Sequence, residues 1–193
     1  MSEIKTFSVD ACSRSEIKSF IETWHYSKSI NGLHSEYCFK LVNKEHTLIG
    51  AAIFGKMAMA GAYKKYGSDE SSVIELRRLC CIDETPKNTE SFFIGHCLRW
   101  LRKNTEIKTV VSYADNFYNH NGTIYKASNF VFKGLTSPGR VIMFNGKKYH
   151  DKCVRTTYNG VLKPFALKIK EALSNGNAFY IKTPGKNIFT YSL

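Results

Sequence analysis

The chain has 193 residues, of which 43% are hydrophobic, so it can bury one good core; it has no apolar run long enough to span a membrane and no apolar secretory core near Glu3, Lys5 and Asp10. Its 28 Lys and Arg against 16 Asp and Glu give a formal net charge of +12, which argues against a cationic partner and for a polyanionic one. Six cysteines (Cys12, Cys38, Cys80, Cys81, Cys97, Cys153) contain no C-x-x-C pair and sit in apolar segments, so they read as buried thiols of a soluble, intracellular protein rather than as a disulfide framework.

Ser13 and Glu16 have capping-box spacing, and Ile17, Phe20, Ile21 and Trp24 recur at helical intervals, which predicts a first helix over 15–24 that delivers His25 and Tyr26 to its end. Residues 36–42 and 47–54 read as a hairpin around Asn43 and Lys44. The glycine-, lysine- and tyrosine-containing stretch 55–72 reads as a mobile loop, and 73–82 as a further strand ending at Asp83-Glu84-Thr85-Pro86. Asn88 is expected to cap a helix with Phe93, Cys97, Trp100 and Leu101 on its apolar face. A nearly unbroken apolar and β-branched run over 107–114 predicts a strand buried on both faces. Asp115 ends it, where open α/β sheets place ligands, although a carboxylate there also serves as an ordinary turn cap. A polar turn leads to a short helix over 123–128 and a strand over 130–133. Tyr125 on that helix is expected to face one cleft with Asp115; the alternative is a tyrosine at the edge of the core whose hydroxyl reaches water. Asn145-Gly146 between 140–144 and 147–150 is a hairpin signal, and 165–174 reads as an amphipathic helix. One domain over 1–193 is the simplest organisation.

The charge is uneven. Residues 133–193 carry 11 basic and 2 acidic side chains, a net of +9, leaving +3 for the rest. Aromatics interleave with that charge at Phe144, Tyr149, Phe179 and Tyr180, as in surfaces that hold phosphates and stack on an extruded base; a basic face made only for solubility has the same composition.

Tyr125-x-x-x-Asn129-Phe130 is similar to the Tyr-x-x-x-Gly-Phe found late in the GNAT-type N-acetyltransferase fold. With His25-Tyr26-Ser27-Lys28-Ser29-Ile30-Asn31, Glu75-Leu76-Arg77-Arg78-Leu79, Pro86-Lys87-Asn88-Thr89-Glu90-Ser91 and Ser112-Tyr113-Ala114-Asp115, in that order, the chain more closely resembles the Mom family of bacteriophage DNA-modification proteins. The resemblance covers most of the stretch from Trp24 to about His150. It implies an α/β (α+β), acetyltransferase-like domain with a mixed central β-sheet flanked by helices. The implied activity is transfer of a methylcarbamoyl, glycinamide-like group to the exocyclic amine of adenine in double-stranded phage DNA, in the host cytoplasm, which protects that DNA from restriction.

On that resemblance the catalytic positions are Asp115, Tyr125, Arg78 and Tyr26. Asp115 suits the proton acceptor that a delocalised amine needs; Tyr125 would protonate the leaving group, Arg78 would hold developing charge or a phosphate, and Tyr26 would position the base. An ion pair with Glu75 or another strand neighbour is the plain alternative for Arg78. Donor-binding residues are expected at Asn88, Ser91 and Arg77, and DNA contacts at His25, Lys28, Ser112, Asn129, Lys147, Lys148 and Arg155, with the basic portion from about 133 to 193 against DNA. The donor is acetyl-CoA or another phosphate-bearing molecule, but 83–91 lacks the glycines of the usual Gln/Arg-x-x-Gly-x-Gly/Ala loop. Iron is associated with the family, yet the six histidines form no i, i+4 pair; His25 or His120 with Asp115 would be an assembled site. The alternatives are an acyl-CoA-dependent acetyltransferase acting on a protein amine, tRNA or a small molecule, and a non-catalytic nucleic-acid-binding protein.

Overall fold

The computed structural model describes residues 3–193. The first helix, α1, runs over Arg14–Trp24 behind a complete capping box: Glu16 N–H donates to Ser13 Oγ, and Ser13 N–H donates to Glu16 Oε1 at 2.8 Å. Strands β1 (Ser8–Cys12), β2 (Tyr37–Val42), β3 (Leu48–Gly55), β4 (Val73–Cys81), β5 (Thr109–Ala114) and β6 (Val131–Leu135) are joined in one sheet by β10 (Asn187–Ser192). The order is β1-β2-β3-β4-β5-β10-β6. Between β4 and β5 lies α2 (Thr89–Asn104), and these two strands pair in parallel; β10 inserts antiparallel to β5, with Asn187 opposite Ala114. The short helix α3 is Thr123–Ala127.

Apolar side chains cover both faces of this sheet. One face packs Phe39, Phe54, Ile74, Leu76 and Ala114 against Phe93, Ile94, Cys97 and Leu101 of α2; the other packs Cys38, Ala51 and Ile53 against Ile17, Phe20 and Ile21 of α1. Two irregularities position the site. The β4–β5 ladder ends at Leu76 opposite Ser112, so Arg77 to Cys81 have no rung from β5. On the other edge of β4, Ile53 pairs with Arg78 and Phe54 with Leu76, which leaves Arg77 as the extra residue of a β-bulge. The bulge resets the alternation, and Arg78 follows Ile53 onto the α1 face while Leu76 and Leu79 both serve the α2 face.

The described residues form two compact units, the first comprising 3–114, 121–134 and 187–193, the second 115–120 and 135–186. The second unit holds β7 (Gly139–Phe144), β8 (Lys147–His150), α4 (Pro164–Ser174) and β9 (Ala178–Thr183), in a sheet of order β8-β7-β9. Asn145 and Gly146 have φ of 49° and 71°, the left-handed pair that a two-residue hairpin requires. Ile142, Ile169, Ala172 and Ala178 form its own core.

The predicted elements exist, with ends moved by a residue or two. The stretch 55–72 contains a short 3-10 helix, Ala62–Lys65, and its Asp69 gathers Ser71 and Ser72 into a tight turn. Asn88 precedes α2 but does not cap it: at φ 74° it is left-handed and its side chain makes no capping bond, which requires an extended backbone.

Candidate active site

Three short segments of the first unit border the place where β4 and β5 part. The first follows α1. His25 is 5% exposed, and its Nδ1 accepts from Ser27 N–H at 3.0 Å, so a neutral ring carries its proton on Nε2. Tyr26 lies against it at 4.2 Å between ring centroids and is 41% exposed, an open aromatic face with a fixed back. Lys28, at φ 49°, donates its ammonium to the Thr23 carbonyl and thereby ties down the end of α1.

The second segment is the bulge of β4. Arg78 Nε donates to Ser29 O at 3.2 Å and Nη1 to Arg77 O at 2.7 Å, which ties the guanidinium to the turn after Tyr26. Burial draws the Arg78 pKa below its ordinary value and neighbouring Tyr26 opposes the shift; the group stays cationic with little water around it. Beside it in the bulge, Arg77 Nε lies 3.3 Å from Glu75 Oε1 while Nη1 donates to Lys56 O at 2.8 Å. Arg77 is thus committed to a buried carboxylate, which also accepts from Ala58 N–H at 3.1 Å. Glu75 is the residue the sequence reading undervalued, an acid inside an otherwise apolar strand. It acts on Tyr113, whose phenol is pushed up by burial and then by a hydrogen bond with Tyr66.

The third segment is the end of β5 with α3. Ser112, on the last rung, is fully buried and its Oγ has no hydrogen bond of good geometry, while the Tyr125 phenol neighbours it. Tyr125 is only 9% exposed and packs on Phe130 and Phe189 at 5.6 and 5.3 Å. It is therefore more deeply placed than a residue facing an open cleft. Burial raises its pKa and Ser112 opposes the rise, so the phenol is protonated throughout the neutral range. Asn129 has φ 62°, and Phe130 N–H returns to Tyr125 O at 2.9 Å. The left-handed turn explains why Asn stands where the acetyltransferase pattern has Gly, since both tolerate that conformation, and it makes Asn129 the stop of α3.

The second unit begins at Asp115. Its Oδ1 accepts from Phe117 N–H at 3.1 Å, as a turn cap does, and its Oδ2 lies 2.8 Å from Lys186 Nζ, with the side chain 13% exposed. Lys148 stands over the rings of Phe117 and Tyr118 at 3.9 and 4.5 Å. Lys147 is exposed, and Arg155 is paired with Asp151 at 2.7 Å, an acid that also holds Arg140.

At the start of α2, the hydroxyls of Thr89 and Ser91 donate to Pro86 O and Asn88 O, and no glycine lies between Asp83 and Ser91. These residues do not form the glycine-rich amide cradle that a pyrophosphate of acyl-CoA needs. Among the described residues no three His, Cys, Asp or Glu side chains gather to hold a metal, so iron finds no donor set here.

A mostly antiparallel sheet with one parallel pair that opens beside a bulge, flanked by α1 and α2, is the GNAT acetyltransferase fold. An acetyltransferase of Bacillus subtilis in complex with CoA superimposes with a TM-score of 0.54 at 12% identity, over 97% of both chains. The spermidine/spermine N-acetyltransferase SpeG of Vibrio cholerae, in complex with manganese ions, gives 0.54 at 11% identity over 99% of this chain and 95% of that one. Within that fold the chain belongs to the Mom protein family, whose model matches residues 6–178. It is 27% identical over 137 residues to methylcarbamoylase mom of Escherichia phage Mu, a match covering 69% of this chain. The chain spans only 56% of that relative's length.

Proposed function

We propose that this protein is a DNA-modifying transferase that places a methylcarbamoyl group on the exocyclic amine of adenine in double-stranded phage DNA, within the host cell. The observation that carries the reading is the exposed Tyr26 ring, backed by His25 and set beside the desolvated Arg78, in a chain of the Mom family. Tyr26 supplies a flat platform on which an extruded purine stacks, and Arg78 holds the negative charge that develops as the donor is attacked. The exocyclic amine attacks the donor carbon and loses a proton; Asp115 is the proposed acceptor of that proton. Tyr125, kept protonated by burial, donates to the departing group. The excess of basic residues over 133–193 supplies phosphate contacts whose strength falls as salt rises.

The test is expression in a bacterial host, digestion of total DNA to nucleosides, and measurement of their masses. A heavier deoxyadenosine that disappears with Asp115→Ala supports the reading. Unmodified deoxyadenosine alongside new acylation of protein or RNA would refute it.

A further inference from the structure

Away from the β4–β5 opening, the first unit has a groove of about 380 Å³ between α2 and the first two strands, lined by Val9, Phe39, His96, Arg99, Trp100, Lys103 and Asn104. That volume lies within the roughly 300–1,000 Å³ of small-molecule sites. We propose that this groove binds the phosphate of a nucleotide-sized anion, with Arg99 and Lys103 as its ligands and Trp100 beside its ring.

Charge comes first. Arg99 and Lys103 are one turn apart on the same exposed face of α2, where like charges repel, and among the described residues neither forms an ion pair. No carboxylate lines the groove. An anion between the two cations turns the repulsion into attraction, and the guanidinium fork of Arg99 matches two phosphate oxygens. His96, one turn before Arg99, adds a third nitrogen donor to the same wall.

Shape comes second. The floor is Phe39, fully buried, with Trp100 edge-on to it at 5.3 Å and 76° and Tyr37 tilted against Trp100 at 5.7 Å. These contacts fix an indole that stays partly open, a rigid apolar wall for a flat ring at little entropic cost. A helix face made only for solubility has cations but needs neither a concavity nor an aromatic floor. The residues come from β1, β2 and α2, none of them shared with the candidate active site, so the proposal stands whether or not the transferase reading does.

Isothermal titration of the full chain with ADP, and separately with inorganic pyrophosphate, tests it, beside a titration with a short DNA duplex at the same salt. ADP is expected to bind at one site, with Arg99→Ala and Lys103→Ala each weakening it roughly tenfold or more, and Lys18→Ala, an exposed lysine on α1, leaving it unchanged. Thermal melts of the variants verify folding; both side chains are exposed, and wild-type melting is expected. No heat with either small anion overturns the proposal, as does ADP binding that ignores both substitutions. Duplex binding that needs Arg99 and Lys103 while ADP does not bind also overturns it, and would assign the groove to the DNA backbone.

Discussion

Tyr125→Phe separates packing from chemistry at one atom. The substituted ring keeps its contacts with Phe130 and Phe189 and removes only the hydroxyl that neighbours Ser112. Because Ser112 Oγ already lacks a hydrogen bond of good geometry, the loss amounts to at most one neutral hydrogen bond, about 1 kcal/mol. For a chain of this size that lowers Tm by roughly 2–4 °C. Truncation to Ala instead empties an aromatic site in the core and costs about 3–5 kcal/mol. If Tyr125 donates the proton, its removal lowers the rate by roughly 100-fold or more although the fold is intact. The assay pairs a thermal melt with the yield of modified deoxyadenosine from the DNA of expressing cells. Wild-type yield from Tyr125→Phe would remove the tyrosine from the mechanism and leave it a core residue; a Tm loss like that of Tyr125→Ala would show that the hydroxyl is structural.

Arg77→Ala removes the guanidinium paired with the buried Glu75 and should cost about 3–5 kcal/mol in a denaturant melt, with much of the loss recovered by adding Glu75→Gln. Equal stability of the single and double variants would mean that the pair is not buried as described. Gly122→Ala would place a Cβ 2.2 Å from the Phe189 ring at φ 81°, and overpacking with left-handed strain together should cost about 3 kcal/mol by the same melt; a neutral effect would contradict the packing of α3 on β10. Glu16 is held down to about 2 by its hydrogen bond to Lys40 and by Ser13. A lowered folded-state pKa stabilises above the ordinary value of 4.5 and the contribution fades as pH falls to about 2, so the stability gap between wild type and Glu16→Gln should close across that window and stay constant above it. His96 is held below its ordinary value by burial first and Arg99 second, so Arg99→Ala should raise its midpoint in an NMR titration; an unchanged midpoint would separate the two side chains.

Local signals in the sequence translated well into structure where the deciding partners lie close in the chain. Ser13 and Glu16 specify the α1 start between themselves, and Asn145-Gly146 specifies its hairpin. The sheet order was less legible. β10 is six residues of mixed polarity that insert beside β5, and β1 is mostly exposed, so neither shows the alternation of a half-buried strand. The contacts of the candidate residues were less legible than their types. No pattern in Glu75-Leu76-Arg77-Arg78 announces the bulge at Arg77 or its pairing with Glu75, and Lys186 joins Asp115 from the far end of the chain. The depth of Tyr125 is set by Phe189, likewise remote in sequence. The left-handed backbone of Asn129 gives that position a conformational reason for Asn that the sequence pattern does not show.

The most direct test of the central claim is the mass of deoxyadenosine from DNA made in cells expressing either the wild-type chain or Arg78→Lys. Lysine keeps the charge but cannot bond Ser29 O and Arg77 O together as the guanidinium fork does. A heavier deoxyadenosine with the wild-type chain, largely lost with a folded Arg78→Lys, is the predicted result. Ordinary deoxyadenosine from the soluble wild-type chain, or full modification by the variant, would contradict the account.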